Sequence, residues 1–167
     1  SNAFELLSSK SDEVAERLAN KLNEENKERQ GITERLNKVA IEQIGDTDDK
    51  DLLVAVGGDW PMGIVGLVAG KLSHKHHRPV FVVSKKGEEY SASGRSVPEL
   101  NITKALQAAS EYLDHFGGHP QACGFSTSGT DRFNKAIEKI EEFVKKETKD
   151  KDMTPRIEVD AELMMDQ

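Results

Sequence analysis

A chain of 167 residues has room for one ordinary domain and an appendage but is short for two full domains. With 36% hydrophobic residues, 32% charged residues and a formal net charge of −7, it reads as a soluble chain, part of which is an exposed helix or tail. No apolar run approaches the roughly 20 residues that cross a bilayer. No signal peptide is visible, and the single cysteine, Cys123, excludes an internal disulfide framework and a cysteine-built zinc site, which fits a cytoplasmic location.

Ser1-Asn2-Ala3 reads as an expression remnant and is set aside. Residues 12–44 have the pattern of one long helix. Ser11 suits the N-cap, Asp12 and Glu13 follow in the first turn, and apolar residues recur at steps of three and four. These are Val14, Leu18 and Leu22, then Ile32, Leu36, Val39 and Ala40. Between the two groups, NEENKERQG is almost wholly polar, and Gly31 weakens its middle by about 1 kcal/mol relative to alanine. Such a helix spans about 50 Å. An apolar stripe at each end with a polar waist implies a rod joining two packed regions. Val14, Leu18 and Leu22 are therefore expected to stand exposed, open to pairing with a second copy of the chain.

GDTDDK, residues 45–50, is a loop, and DLLVAV, 51–56, is a buried strand ending at Gly57-Gly58. Pro61 suits the first turn of the next helix. MGIVGLVAGKLSHKH then places Gly63, Gly66, Ala69 and Gly70 at helical spacing, small enough for the helix to lie close to a sheet or a ligand. PVFVVS, 79–84, and YSASGRS, 90–96, are strands on either side of a Lys-Gly-Glu turn. ITKALQAASEYLDHF, 102–116, reads as an amphipathic helix stopped by Gly117. QACGFST, 121–127, is a fourth strand, DRFNKAIEKIEEFVKKE, 131–147, a final helix, and PRIEVDAEL the start of a further strand. The order β-α-β-β-α-β-α implies an α/β fold: a mixed sheet with flanking helices, preceded by a long connector helix.

Three segments hold residues suited to phosphate. In GGHPQACGF, Gly117 and Gly118 put no Cβ between backbone N–H groups and an anion, and His119 can donate to a phosphate oxygen. The competing reading, simpler from these residues alone, is a glycine helix cap and a histidine bonded to a backbone carbonyl. In SGRSVP, Arg95 offers a planar fork between the hydroxyls of Ser93 and Ser96, or it is a surface arginine on an edge strand. In GGDWPMGIVG, a strand-to-helix turn points backbone donors outward, without the Lys-Ser/Thr of a P-loop. Trp60 in that turn is a core anchor, the safer reading, or a stacking surface for a base. His74, His76 and His77 read as solvated residues at a helix end.

Residues 69–96 carry six basic side chains against Glu88 and Glu89, an excess of +4 on an acidic chain. Within that stretch Lys71, Lys75 and Arg78 are candidate secondary contacts to DNA. Cys123 reads as a buried core residue. Metal-assisted phosphoester hydrolysis needs several converging carboxylates, and only Asp59 adjoins the glycine-rich segments. No catalytic and no metal-ligating residue is expected in this chain.

Taken in order over residues 51–127, WPMGIVGLVAGKL, RPVFVV, SGRS and FGGHPQACGF resemble the DHH-associated domain of the DHH phosphoesterase superfamily. The likeness is strongest to its RecJ family of single-strand-specific 5′→3′ exonucleases, and the motifs are specific as a set though each is short. The resemblance implies that residues 4–44 are an interdomain connector helix, 51–148 the substrate-binding domain, and 149–167 a linker and the start of a further strand or domain. It implies that the catalytic aspartates and the manganese or magnesium ions belong to a separate N-terminal domain. The domain here would form the other wall of the cleft, inactive by itself, and bind single-stranded DNA or another nucleic acid in DNA repair and recombination. Arg95, Ser96, Gly117, Gly118 and His119 fall on the family's substrate-side motifs, with Ser93 beside them; Cys123 stands where alanine is commoner. The alternative is the equivalent domain of a small-substrate phosphoesterase acting on short oligonucleotides or nucleotide phosphates. The connector, the tryptophan motif and the C-terminal exit favour the exonuclease. No membrane partner is expected, and the connector helix offers a surface for self-association.

Overall fold

A computed structural model of the protein describes residues 1–155. The first 44 residues form two helices, α1 (Asn2–Ser8) and α2 (Asp12–Ile44). Ser11 Oγ accepts the Val14 N–H at 3.5 Å, satisfying one of the donors that a helix start leaves unpaired. α2 ends at Gly45, whose N–H donates to the Ile41 carbonyl at 2.9 Å and whose φ of 62° turns the chain out of the helix. Gly31 does not interrupt it. α1 packs against α2, which corrects the expected exposure of the apolar stripe. Leu18 is buried and Val14 and Leu22 are half-buried, while Phe4 and Leu7 carry the open apolar surface at 73% and 88% exposure. At its other end α2 packs on the domain through Ala40 and Ile44.

Five strands form one mixed sheet: β1 (Leu53–Gly58), β2 (Val80–Lys86), β3 (Glu89–Arg95), β4 (His115–His119) and β5 (Ala122–Ser128), in the order β1-β2-β3-β5-β4. β1 and β2 run parallel, joined through the crossover helix α3 (Met62–His76), and the remaining pairs are antiparallel. Pro61 is the N-cap of α3, one residue before its first turn. Two further helices, α4 (Ile102–Ala108) and α5 (Thr130–Thr148), complete the domain.

Register assigns each strand residue to one face. Leu53, Ala55, Val80 and Val82 pack with Val65 and Val68 under α2 and α3. Phe81, Val83, Ala92, Cys123 and Phe125 turn the other way, into the core that α4 and α5 close with Leu106 and Ile140. There the Phe81 and Phe125 rings meet edge-on at 5.3 Å and Tyr90 stacks on Phe133 at 4.2 Å.

The α/β class holds, with one strand more than the sequence pattern suggests. The helix expected over 102–116 ends at Ala108, followed by a single 3-10 turn at Ser110–Tyr112, and residues 115–119 are β4. The amphipathic spacing is local, whereas the competing bonds are long-range. Thr127 Oγ1 donates to the Tyr112 carbonyl at 2.6 Å, and the Asp114 N–H donates to the Ser126 carbonyl at 2.8 Å. The ladder to β5 then pairs residues 115–119 in full. The strand expected in PRIEVDAEL lies, beyond Pro155, outside the described residues.

Candidate nucleic-acid interface

On the α3 side of the sheet, the helix lies over β2 and β3. Farther out the same face is open: Ala122, Gly124 and Ser126 of β5 are half-buried, and all five residues of β4 are exposed. Register arranges three rows across β3, β5 and β4, namely Arg95–Ala122–His119, Ser93–Gly124–Gly117 and Ser91–Ser126–His115. Directly opposed residues share a face. The floor is thus built of small and hydroxyl-bearing residues, with Arg95, His119 and His115 at its margins. With strands about 4.8 Å apart, the backbones of Arg95 and His119 lie about 10 Å from each other. Residues separated by more than twenty positions in the chain therefore meet at one end of one face.

Arg95 is half-buried and held in place. Its Nη1 donates to Ser93 Oγ at 3.2 Å and to the Gly94 carbonyl at 2.8 Å. A Cβ on Gly66 of α3 would stand 3.1 Å from Ser93 Oγ and 3.2 Å from Arg95 Nη2, so the missing side chain makes room for the guanidinium between helix and sheet. Beyond Arg95 the surface opens into a cavity of about 690 Å³ lined by Gly70, His74, His77, Ser96 and Gln121 among others. The Ser96 hydroxyl donates to the Leu100 carbonyl at 2.9 Å, and its N–H donates to the Gln121 carbonyl at 3.0 Å. Ser96 thus ties the Pro120–Gln121 turn to the end of β3, with its proton already committed.

Gly117 and Gly118 are strand residues, so the helix-cap reading of this pair does not hold. A Cβ on Gly118, whose φ is 141°, would fall 2.4 Å from the Ala122 carbonyl oxygen; that position requires glycine. A Cβ on Gly117 would meet nothing within 4 Å, since it faces the open side.

The secondary candidates lie elsewhere. The Trp60 indole covers Gly57, where an added Cβ would come within 1.9 Å of the ring, and the side chain packs on the α2–α3 core. Lys71 sits with Arg29, Thr33 and Glu34 in a separate cleft between α2 and α3. Lys75 is exposed, while Arg78 is half-buried and donates from Nε to the Lys50 carbonyl at 3.2 Å. The three histidines diverge. His74 faces the cavity beside Arg95, His76 Nδ1 lies 3.4 Å from Thr47 Oγ1, and His77 Nε2 lies 3.3 Å from Glu99 Oε2. Burial, and then the charge of Lys75, holds the His76 imidazolium below its usual range. Burial pushes the Cys123 thiol up to about 12, which leaves no nucleophile at neutral pH. Among the described residues no group of three His, Cys, Asp or Glu side chains gathers closely enough to hold a metal ion.

His115, Ser91, Gly124 and Ser126 belong to this face and went unnoticed in the sequence. Their signal was available as period-two alternation, small or polar against apolar, in SASGR and ACGFSTS.

Residues 49–146 match the model of the DHHA1 domain. The chain belongs to the DHHA1 domain family. Among curated proteins it is 35% identical over 132 residues to the single-stranded-DNA-specific exonuclease RecJ of Bacillus subtilis, covering 77% of this chain and 17% of that protein. It is 30% identical over 113 residues to the RecJ of Thermus thermophilus, covering 67% of this chain and 16% of that protein. The crystal structure of Thermus thermophilus RecJ in complex with Mg2+ superposes with a TM-score of 0.76 at 24% identity, over 87% of this chain and 22% of that one. The C-Ala domain of Aquifex aeolicus alanyl-tRNA synthetase gives 0.51 at 17% identity, over 60% of this chain and 96% of that one. Both structural likenesses are of fold. The chain spans about one-sixth of the length of those two curated relatives.

Proposed function

We propose that this DHHA1 domain binds single-stranded DNA as the substrate-side wall of a RecJ-like 5′→3′ exonuclease acting in the cytoplasm in DNA repair and recombination. The observation that carries the reading is the row Arg95–Ala122–His119 on an open sheet face floored by glycine, alanine and serine. A phosphate at that row meets a guanidinium already oriented by Ser93 and Gly94, so little ordering cost remains on binding. Gly117 and Gly124 let the sugar–phosphate chain approach the sheet backbone closely, and His119 donates from the far end of the row. Of the basic residues in 69–96, register puts Arg95 and Lys86 on this face, and they bring positive charge to it on an otherwise acidic chain.

In this reading hydrolysis falls to another domain of a longer protein, which would supply the manganese or magnesium ions and the carboxylates that hold them. Here the domain grips and orients the phosphodiester.

The test is fluorescence anisotropy with a 3′-labelled oligodeoxynucleotide, as single strand and as duplex, at two salt concentrations. The expected outcome is weak, single-strand-selective binding that falls as salt rises through lost counterion release. Arg95→Ala and His119→Ala should each weaken it by the worth of a charge-assisted hydrogen bond, about 1.5–3 kcal/mol. Wild-type affinity in both folded variants would refute the assignment.

A further inference from the structure

The third row of the open face continues past β3. Gly57 of β1 pairs with Ser84 of β2, and Ser84 with Ser91 of β3, giving the line Gly57–Ser84–Ser91–Ser126–His115 across the whole sheet. At its β1 end the Trp60 indole lies flat enough on Gly57 that no side chain fits beneath it. The remainder of this half-buried tryptophan lines a cleft of about 220 Å³ whose floor is Ser84 and Ser91 and whose rim includes Asp59, Lys86 and Glu89. The cleft and the Arg95 row lie on the same face of the sheet, since Ser91 belongs to both the cleft and the third row. They lie four residues apart along β3, about 13 Å.

The two ends differ in chemistry. The Arg95 end presents a cation and suits a phosphate. The Trp60 end is lined by the indole, the Met62 thioether, two hydroxyls, one cation and two carboxylates, a set that repels phosphate but suits a neutral heterocycle. Aromatic rings stack on any base, and Asp or Glu accepts from an exocyclic amino group such as cytosine N4. We infer that the Trp60 cleft is a nucleobase subsite, selective for an amino-bearing base, on the strand whose phosphate sits at the Arg95 row. The inference rests on the proposed nucleic-acid reading and adds a second contact point to it. A strand anchored at Arg95 reaches the cleft once its length covers the span, about four nucleotides at the 3.4 Å rise of stacked bases.

Trp60 is the chain's one tryptophan, so its emission reports on this cleft alone. The 167-residue protein is titrated with 5′-phosphorylated oligodeoxycytidylates of one to six nucleotides, following Trp60 fluorescence and, in parallel, heat by calorimetry. Mono- and dinucleotides are expected to bind with unchanged emission. From about four nucleotides the emission should be quenched and the affinity rise about five-fold or more, with an abasic site at that position abolishing both changes. Glu89→Gln, at an exposed residue, should reduce the preference for oligodeoxycytidylate over oligodeoxythymidylate and leave dinucleotide binding untouched. Trp60→Ala, if it folds, should flatten the length dependence in the same way. Oligonucleotides that bind at every length with constant emission and no gain beyond two nucleotides would overturn the subsite and leave the proposed function standing. Absence of calorimetric binding at all lengths would overturn both.

Discussion

Gly117 and Gly118 are adjacent and make opposite demands. Gly118 needs its φ of 141° and the space that the Ala122 carbonyl would deny a side chain, so it serves the fold. Gly117 has room for a side chain on the open face, so the fold does not require its bareness. Gly118→Ala is expected to cost about 1–3 kcal/mol from backbone strain, and more from the clash, lowering the melting temperature clearly. Gly117→Ala should melt like wild type and bind single-stranded DNA more weakly. Thermal unfolding beside anisotropy separates the two, and equal behaviour of the variants in both assays would contradict the division. At this scale the sequence was partly legible. Arg95 and His119 stand in short motifs that suggest phosphate, but which glycine is structural depends on the pairing of β4 with β5, which no local pattern contains.

Among the elements, β4 departs most from expectation. Its entry is fixed by Asp114, which accepts from Ser128 Oγ at 3.0 Å and from Arg132 Nη1 at 2.7 Å. The Ser128 hydroxyl, and then Arg132, holds this carboxyl below the usual carboxylate range. A folded-state value below the unfolded one contributes stability above the unfolded value, and that contribution is lost as pH falls through the folded value. Asp114→Asn is expected to lower the melting temperature at neutral pH, to blunt its fall toward acid, and to speed amide exchange in residues 115–119. Unchanged exchange there would show that β4 is held by its ladder alone. α2 was legible because its signals are local: a serine cap, acidic residues in the first turn, and apolar steps of three and four. α1 has no separate signal in a reading that takes residues 4–44 as one connector helix, whereas residues 9–11 separate it from α2. β4 was lost because a helical spacing in 102–116 competes with strand pairing contributed by residues that follow it.

For the whole molecule, the open face exists because β5 and β4 extend the sheet beyond the reach of α3, an arrangement set by the strand order β1-β2-β3-β5-β4. Strand order is not written in composition or periodicity, so the motifs could be found in the sequence while their convergence could not be seen. The proposed function leaves grip to this domain and cutting to another. Purified to homogeneity, the domain is expected to release no nucleotide from labelled single-stranded DNA with manganese or magnesium, and metal-dependent digestion would reveal an active site overlooked here. On the proposed reading the open sheet face, rather than the lysines of α3 or the connector, meets the nucleic acid. The direct measurement is the amide nitrogen–proton spectrum of the isotope-labelled domain as a 5′-phosphorylated single strand is added. Shifts are expected to concentrate at Ser93, Arg95, Gly117, His119 and Gly124, with Lys71, Lys75 and the N-terminal half of α2 unmoved. Shifts centred on those lysines or on α2, with the β3–β5–β4 face silent, would contradict it.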